Sequence, residues 1–388
     1  MATASDSKTV LILGAGVGGL IAARQLRRLL PARHHIVVVE REVQHVFSPS
    51  LLWLAVGDRT ADAIQRPVAR LLPKGVEVIR GEVSQVDPAA RTVTVGGQVV
   101  ACDVLVIALG AELAPEMVPG LAESGHNFYT LAGAESLWRD LQGFAGGTVA
   151  VLTAAPLYKC PAAPYEAAML IEAVLRKRKV RDRTRVEVWA AEPGPMGVAG
   201  PAVSAGVVEM LRAKDIAYAP GHQVVRVEPA ARTLVFANGV TAPCDLLAYV
   251  PPHRAPAVLR QAGLCGPTGW LAADRHTLQT AWPDVYALGD VVSLPLQLGK
   301  PLPKAGVFAH RQAEVVARNI AAQLAGAPPT ERFDGHGECF VEIGDGKAAY
   351  GSGNFYAEPL PAVTLREPGR AWHLAKVVFE KAWLAGKV

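Results

Sequence analysis

The sequence predicts an α/β protein with two Rossmann-like units and a C-terminal α+β segment. An apolar strand-like run at 9–13 leads through a glycine-rich loop into an amphipathic helix, which is how a Rossmann unit begins. The stretch 87–110 recurs at 228–252, so the chain contains two related units. With 388 residues, the chain is long enough for two or three domains and a large core.

The composition excludes several classes of function. Hydrophobic residues make up 51% of the chain and charged residues 19%, and the net charge is +4 at pH 7. No basic patch with interleaved aromatic residues occurs, so a nucleic-acid partner is not expected. No apolar run approaches the roughly 20 residues that a membrane-spanning helix needs. The five cysteines show no CxxC or metal-type spacing, so no metal site is predicted.

The first unit contains a complete dinucleotide fingerprint in the stretch TVLILGAGVGG. Gly14 allows a tight turn, Gly16 lets the backbone approach a pyrophosphate, and Gly19 lets the helix pack closely on the strand. Free N–H groups at the start of the helix favour the phosphates. The next strand ends in Glu40, 21 residues after Gly19, which is the place of a carboxylate that binds the adenosine ribose. A carboxylate there favours FAD or NAD over NADP.

The second unit has lost this fingerprint. After the strand-like run 148–154, the loop reads APLYKC instead of a glycine-rich sequence. Without glycine the backbone cannot approach a pyrophosphate, and the prolines in and after this loop remove N–H donors. We therefore predict that the second unit does not bind a nicotinamide nucleotide and that Cys160 gives this loop another role.

Two later stretches favour FAD over NAD. Residues 103–113 resemble the strand and glycine exit, here Gly110, that crosses the flavin in flavoproteins with two dinucleotide-binding domains. Residues 280–292 resemble their second FAD motif, in which Gly289 precedes Asp290, the acceptor for the ribityl chain. A helix that begins near Ala305 would direct its positive end toward the reduced flavin. Lys304 either adds to that positive charge or is a solvent-exposed lysine.

These motifs identify the chain as resembling the sulfide:quinone oxidoreductase and flavocytochrome c sulfide dehydrogenase family. The resemblance covers essentially the whole chain and is carried by GAGVGG, VFSPSLLWLAVG, KCPAAPYE, YALGD, LPKAGVFAHRQA and GHGECFVEIGDGKAAYGSGNFY. It implies an FAD-binding domain at 1–113 and 244–325. A second Rossmann-like domain at 114–243 and a C-terminal segment at 326–388 complete the expected organisation.

The resemblance also implies a redox disulfide between Cys160 and Cys339. Taken alone, Cys339 would be interpreted as a buried structural thiol. The helix that follows Cys160 is expected to lower the pKa of that thiol with its positive N-terminus. Glu166 either moves protons for sulfide and the thiols or is an ordinary glutamate in the first helical turn. Which cysteine faces the flavin is left open.

The chain differs from the family in two respects. The loop 40–50 has no cysteine, so FAD is expected to bind non-covalently. Residues 111–159 also lack cysteine, so release of long polysulfur chains through a third thiol is not expected. The resemblance further assigns Pro49 and Val83 to the FAD site.

The tail at 371–388 predicts an amphipathic helix. His373, Lys376, Glu380 and Lys387 share one strip of this helix, and apolar residues cover most of the rest, with Lys381 interrupting them. Such a helix either lies in a membrane interface, with its tryptophans at headgroup depth, or packs on the protein. The start, MATASDSKTV, lacks the pattern of a secretion signal. We expect a cytoplasmic protein, peripheral on the inner face of the plasma membrane through 371–386.

The predicted activity is oxidation of hydrogen sulfide, or of a related small thiol, with electrons passed through FAD to a quinone. Three alternatives are open: a sulfide dehydrogenase that reduces cytochrome c, a type II NADH dehydrogenase, and a non-enzymatic flavin thiol sensor. The missing glycine loop of the second unit argues against the NADH dehydrogenase. A homo-oligomer is compatible with all of these readings.

Overall fold

A computed structural model describes residues 7–388. Residues 1–6, which belong to the predicted first domain and to the start interpreted as lacking a secretion signal, lie outside the described residues. The strands in chain order are β1 (Thr9–Leu13), β2 (His35–Glu40), β3 (Gln44–Val46), β4 (Gln65–Pro67), β5 (Val76–Arg80), β6 (Val83–Asp87), β7 (Thr92–Val95), β8 (Gln98–Ala101), β9 (Val104–Ile107), β10 (Glu112–Leu113), β11 (His126–Asn127), β12 (Gly147–Thr153), β13 (Thr184–Ala190), β14 (Ala217–Ala219), β15 (Val224–Glu228), β16 (Thr233–Phe236), β17 (Thr241–Pro243), β18 (Leu246–Val250), β19 (His253–Arg254), β20 (Val285–Ala287), β21 (His336–Gly344), β22 (Lys347–Asn354) and β23 (Ala362–Gly369).

The α-helices connect these strands and cover the sheets. In chain order they are α1 (Val17–Leu29), α2 (Leu51–Ala55), α3 (Val68–Leu71), α4 (Leu121–Ser124), α5 (Leu131–Gly143), α6 (Ala163–Lys177), α7 (Pro201–Arg212), α8 (Ala257–Gln261), α9 (Gly306–Leu324) and α10 (Arg370–Leu384). In the part of the chain that the structure describes, none of them is long and apolar enough to cross a membrane.

The first unit is built on a parallel sheet with the strand order β20-β9-β1-β2-β5. All four residues of β9 and the last four of β1 are buried, as expected for parallel strands covered on both faces. Helices α1 and α9 pack against each other, and the apolar residues of both belong to the same core as β1 and β9. Because β20 joins this sheet, the chain returns to the first unit after it has built the second.

The second unit repeats this plan with the parallel order β11-β18-β12-β13-β14. In each unit a three-stranded antiparallel sheet comes just before a strand of the main sheet: β6–β8 before β9, and β15–β17 before β18. The predicted boundary between 243 and 244 is wrong for this reason. Residues 246–250 form β18, which pairs with β12 and therefore belongs to the second unit rather than to the FAD-binding domain.

The C-terminal segment joins the two units. Strands β21–β23 form an antiparallel sheet, and α10 packs on it. Strand β21 also packs against α6 of the second unit and α9 of the first. This arrangement brings Cys339, on β21, to the region where α6 begins.

Candidate active site

The glycine loop of the first unit has the geometry that its sequence predicts. Gly14 has a φ of +94°, and a Cβ atom there would lie 2.6 Å from the carbonyl oxygen of Ala108. A Cβ at Gly19 would lie 1.9 Å from the carbonyl oxygen of Gly14, so helix and loop pack in direct contact. A Cβ at Gly16 would meet no atom within 4 Å, which leaves this side open. The loop therefore fits the close approach of a pyrophosphate.

The carboxylate of Glu40 lies beside this loop at the end of β2. Its Oε2 accepts a hydrogen bond from the amide of Ala15 at 2.6 Å, and its Oε1 accepts one from the amide of Glu42 at 2.8 Å. These two bonds fix the carboxylate at the carboxyl end of the parallel sheet. Its position fits the ribose hydroxyl of an adenosine dinucleotide.

Other predicted flavin contacts lie at the same edge of the sheet. Strands β1, β9 and β20 end in register, so the chain segments that follow them begin side by side. Gly110 follows β9 with a φ of +70°, and Gly289 follows β20 with a φ of +77°. The half-buried Asp290 comes next in the chain. Ala305 precedes α9, whose first turn has no acidic residue and no side-chain cap, so its N–H groups can face an anion.

Two residues that the resemblance assigned to the flavin site lie on other elements. Pro49 is half-buried in a short 3₁₀ turn, Ser48–Ser50, directly before α2. Val83 is the first residue of β6 and is buried. Contact of either residue with a flavin stays a prediction.

Lys304 is not a solvent-exposed lysine, because only 4% of its surface is accessible. Its ammonium donates hydrogen bonds to the carbonyl oxygens of Asp290 and Val292, at 2.7 and 2.8 Å, and lies 3.5 Å from the centre of the Trp270 ring. Burial lowers the pKa of Lys304 to about 8. The side chain therefore holds the backbone around Asp290, and its contact with a flavin stays a prediction.

Cys160 lies in a loop held by backbone hydrogen bonds. Its φ is +52°, a left-handed conformation that is uncommon for residues other than glycine. The amide of Cys160 donates to the carbonyl of Lys304 at 2.6 Å, which links the loop to the first unit. The hydroxyl of Tyr129 bonds the carbonyls of Lys159 and Cys160 at 2.8 and 3.1 Å. The loop thus presents the cysteine in one defined orientation.

The structure brings Cys339 near Cys160. Both residues are half-buried free thiols that pack on the same apolar cluster. Cys339 pairs with Gly351 across the sheet, and its Sγ lies 3.3 Å from the carbonyl oxygen of Phe340. Burial and then negative charge on Cys160 raise the pKa of Cys339 well above its ordinary value. Two cysteines that are far apart in the sequence are therefore close enough in the fold to interact electrostatically.

Glu166 lies in the first turn of α6 and is a buried carboxylate, with 2% of its surface accessible. Its Oε1 accepts a hydrogen bond from the amide of Glu342 at 2.9 Å and one from the ammonium of Lys376 at 3.1 Å. Burial acts to lower the pKa of Lys376, but the charges of Glu166 and Glu342 outweigh it and raise that pKa. Lys376 from α10 is thus the cation paired with Glu166.

The expectation that Cys160 has a lowered pKa is wrong, although the helix acts in the expected direction. Burial and the negative charge of Glu166 raise the pKa of Cys160 to about 12. Lys376 and the amide of Ala163 in the first turn of α6 act in the opposite direction but are outweighed. The helix terminus is visible in the sequence, but the burial of the thiol is not, and burial has the largest effect on the pKa of Cys160. The reduced Cys160 is therefore a protonated thiol at neutral pH.

The buried charges continue from Lys376 toward the surface. Lys376 Nζ lies 3.9 Å from Glu342 Oε1, and Glu342 Oε2 lies 2.9 Å from Nδ1 of the half-buried His373. Burial is the largest cause of the raised pKa of Glu342. Sequence reasoning missed Glu342. Glu342 comes three residues after Cys339 on the same strand, so the two side chains point to opposite faces of the sheet. Nothing in the sequence indicates that Glu342 pairs with the C-terminal helix.

Helix α10 turns its charged strip toward the protein. Lys376, Glu380 and Trp383 are buried, and Arg59 forms a bidentate bond with Glu380, the closest N–O distance being 2.8 Å. The expected position of the tryptophans at headgroup depth is wrong for Trp383, because its indole N–H donates to His45 Nε2 at 3.0 Å inside the core.

The outward surface of α10 carries large apolar side chains together with the exposed Lys381. Leu374, Val378 and Phe379 are 61%, 58% and 37% exposed, respectively. A helix of a soluble domain usually has the reverse arrangement, with apolar residues inward and charged residues outward. A row of exposed large apolar side chains marks a surface that meets another apolar phase or partner.

Comparison with known proteins identifies the family. The pattern described as pyridine nucleotide-disulphide oxidoreductase matches residues 8–313. The chain belongs to this family. The family match and the similarities below confirm the predicted fold class and the resemblance inferred from the motifs, and they show that the protein is an oxidoreductase.

Two curated relatives and one solved structure are similar along most of their length. Mitochondrial sulfide:quinone oxidoreductase of Mus musculus is 27% identical over 372 residues, covering 92% of this chain and 80% of the mouse protein. Sulfide-quinone reductase of Aquifex aeolicus is 29% identical over 399 residues, covering 97% of this chain and 90% of that protein. The crystal structure of the Aquifex aeolicus sulfide:quinone oxidoreductase aligns with a TM-score of 0.88 at 27% identity, covering 98% of this chain and 92% of that one.

Proposed function

We propose that the protein oxidises sulfide to sulfane sulfur or short polysulfide and passes the electrons through FAD to a quinone. The observation that carries the proposal is the convergence of Cys339 with Cys160 and Glu166, which come from two distant parts of the sequence. They meet in a family member whose glycine loop fits a dinucleotide. The relatives named for sulfide and quinone extend over almost the whole chain.

The two cysteines would act as a redox disulfide. Hydrosulfide attacks one sulfur of the Cys160–Cys339 bond, a new S–S bond forms, and the old one breaks with its electron pair on the other sulfur. The products are one cysteine persulfide and one cysteine thiolate. A second hydrosulfide takes the outer sulfur and releases hydrogen disulfide, which leaves both cysteines reduced. When the disulfide re-forms, the two cysteines lose two electrons and two protons; FAD, when bound, would accept the two electrons and pass them to the quinone.

Glu166 would hold and move the protons of this exchange. It is buried beside both thiols, whose pKa values its charge raises. A carboxylate paired with Lys376 can accept a proton from incoming sulfide and return it to a leaving thiolate. The raised pKa of Cys160 means that this thiolate takes up a proton readily once it leaves.

FAD would bind non-covalently at the carboxyl edge of the first sheet. The residues that would hold it are the glycines of the first loop, Glu40 at the ribose, and Gly289 with Asp290 at the ribityl chain. None of the five cysteines lies in the loop 40–50 that follows Glu40, so this loop offers no thiol for a covalent link.

Peripheral membrane contact would occur through 371–386, where the exposed apolar face of α10 lies. Lys376 and Glu380 are already paired inside the protein, so burying this face in lipid would not require their desolvation. The exposed Lys381 can extend its ammonium toward the headgroups. A quinone is dissolved in lipid, and an acceptor site next to such a helix would be open to it. Lipid is therefore the partner that best fits this surface.

The proposal is tested by adding sulfide anaerobically to the purified flavoprotein and following the bleaching of flavin absorbance. We expect Cys160→Ser to slow bleaching by about 100-fold or more, because the disulfide can no longer form. Cys265→Ser is the matched control and should bleach at the wild-type rate, because Cys265 lies in a separate loop. A soluble quinone analogue should then restore the flavin colour over repeated cycles. Wild-type bleaching in Cys160→Ser would refute the proposal, and rapid bleaching by NADH would favour an NADH dehydrogenase.

A further inference from the structure

A second buried carboxylate, Glu192, lies behind the Cys160 loop and belongs to none of the predicted sites. Only 8% of its surface is accessible. Three hydroxyl groups converge on it: Thr153 donates to Oε2 at 2.7 Å, Tyr165 donates to Oε1 at 2.5 Å, and Tyr158 also donates to Oε1. These donors compensate the cost of burying the carboxylate, because a buried acid without hydrogen-bond partners would strongly disfavour folding.

The position of Glu192 in the second unit corresponds closely to that of Glu40 in the first. Glu40 directly follows Val39, which is paired with the last residue of β1, whereas Glu192 lies two positions after Ala190, which is paired with the last residue of β12. In the first unit the acid lies beside an open glycine loop. In the second unit, tyrosines from the replacement loop and from α6 bond to the acid instead. The region that could receive a ribose is therefore occupied by the protein's own side chains.

The two tyrosines lie on either side of Cys160. Tyr158 comes two residues before the cysteine, and Tyr165 lies in the first turn of α6, five residues after it. Both hydroxyls bond to the same oxygen of Glu192, so the carboxylate connects the entry and the exit of the loop. The left-handed conformation of Cys160 between them is one that persists only where the surrounding structure constrains it.

The tyrosines remain donors throughout the neutral pH range. Burial is the largest cause of the raised pKa of both Tyr158 and Tyr165, and the charge of Glu192 raises both further. The two hydroxyls therefore stay protonated where the enzyme would work, and they can donate to Glu192 whatever the protonation state of the thiols. Such a cluster is suited to positioning a loop rather than to transferring protons.

We propose that Glu192 is a positioning residue for the redox cysteine, acting through Tyr158 and Tyr165. By bonding both ends of the loop, it fixes Cys160 in the orientation from which the cysteine reaches Cys339. The inference rests on the proposed redox role of Cys160. It predicts that loosening the cluster changes the thiol–disulfide equilibrium of the pair, a property that a purely structural acid would not affect.

The test compares two tyrosines of the same neighbourhood. Tyr158→Phe removes a hydroxyl that bonds Glu192. Tyr218→Phe, the matched control, removes the buried hydroxyl of a neighbouring ring, whose centre lies 6.0 Å from that of Tyr165. Within residues 7–388, the hydroxyls that donate to Glu192 are those of Thr153, Tyr158 and Tyr165, so this substitution leaves the bonds to the acid in place. The thiol–disulfide equilibrium constant of each variant is measured by titration with reduced and oxidised glutathione, followed by alkylation of the free thiols. The rate of flavin reduction by sulfide is measured in parallel.

We expect Tyr158→Phe to change the equilibrium constant by about tenfold, which is about 30 mV, and to slow flavin reduction by a similar factor. Tyr218→Phe should match the wild type in both measurements. Glu192→Gln, which keeps an acceptor for the tyrosines, should stay within about threefold of the wild type, whereas Glu192→Ala should resemble or exceed Tyr158→Phe.

Equal equilibrium constants and rates in Tyr158→Phe and Tyr218→Phe would overturn the inference, even if Cys160→Ser has lost sulfide-dependent reduction. Wild-type reduction in Cys160→Ser would instead refute the proposed function itself. Tyr158→Phe removes one oxygen atom and leaves the ring packing in place, so the comparison does not depend on Glu192→Ala folding.

Discussion

Replacing Lys376 by methionine isolates the buried charges that connect α10 with the sulfur site. The ammonium lies 3.1 Å from Glu166 and 3.9 Å from Glu342, and the three side chains are at most 6% exposed. Methionine keeps most of the length and apolar volume of the lysine stem. The substitution therefore removes the charge and leaves two buried carboxylates without it.

The expected loss of stability is large for a single substitution. At an effective dielectric constant of about 20, the attraction of Lys376 to a charge at 3.1 Å is about 5 kcal/mol and that to a charge at 3.9 Å about 4 kcal/mol. The cost of burying the ammonium offsets part of this attraction. Breaking a buried pair by removing one partner costs about 3–5 kcal/mol. We therefore expect the free energy of unfolding to fall by about 3–5 kcal/mol at neutral pH.

The loss should depend on pH in a defined direction. The pKa of Glu342 is already raised in the folded protein, so ionisation of Glu342 disfavours the folded state as the pH rises through that pKa. Without Lys376 the folded-state pKa of Glu342 rises further. The difference in unfolding free energy between variant and wild type should therefore be larger at pH 8 than at pH 5, where more of the carboxyl is protonated.

Urea unfolding followed by tryptophan fluorescence at both pH values measures this difference. Lys381→Met is the matched control, because Lys381 lies on the same helix but is exposed. Its free energy of unfolding should stay within about 0.5 kcal/mol of the wild-type value. A loss below about 1 kcal/mol in Lys376→Met, or an equal loss at pH 5 and pH 8, would show that the ammonium does not stabilise the two acids.

Two further substitutions test the dinucleotide loop and the membrane surface. Gly19→Ala places a Cβ 1.9 Å from a backbone carbonyl oxygen, so the purified protein should retain little flavin, whereas Gly143→Ala, with no atom within 4 Å, should retain the wild-type amount by absorbance. Val378→Asp introduces a charge on the exposed face of α10 and should reduce sedimentation with phospholipid vesicles by about tenfold or more, since a buried charge opposes insertion. Wild-type flavin content in Gly19→Ala, or undiminished vesicle binding by Val378→Asp, would contradict these expectations.

The sequence specified the first nucleotide loop well because the requirements there are local. A glycine is needed at 14 for a positive φ and at 19 for a close backbone contact, and both needs arise within a few residues of the loop. The carboxylate at 40 followed because strand, helix and strand have regular lengths. In such a motif the chain order already determines the spatial neighbours.

The wrong boundary at 244 could have been avoided by comparing the strands at the ends of the two copies of the repeat. Residues 104–108 and 246–250 are equivalent in the aligned repeat, and the first of these segments was assigned to the unit whose sheet it joins. Applying the same rule to the second segment would have given β18 to the second sheet. The information was present in the sequence, and the division at 244 ignored it.

The orientation of α10 could not be predicted, because a helical wheel shows two faces without showing what each one meets. The charged strip was visible, but its partners Glu166 and Arg59 lie more than 200 residues away in the sequence. Nothing local indicates that the buried carboxylate of Glu166 and the half-buried guanidinium of Arg59 lie where α10 docks. The direction in which a charged strip faces is a tertiary property, and it reverses the usual rule here.

The same helix connects the proposed membrane surface with the proposed chemistry. Its inward face supplies Lys376 to Glu166, and its outward face carries Leu374 and Val378. Pulling α10 off the protein toward lipid would separate a buried ion pair, so lipid can only bind the outward face with the helix still docked. Vesicle binding should therefore leave the rate of flavin reduction by sulfide unchanged, while it speeds reoxidation by a lipid-dissolved quinone. A vesicle-induced fall in the sulfide rate would mean that α10 leaves its docked position when it meets the membrane.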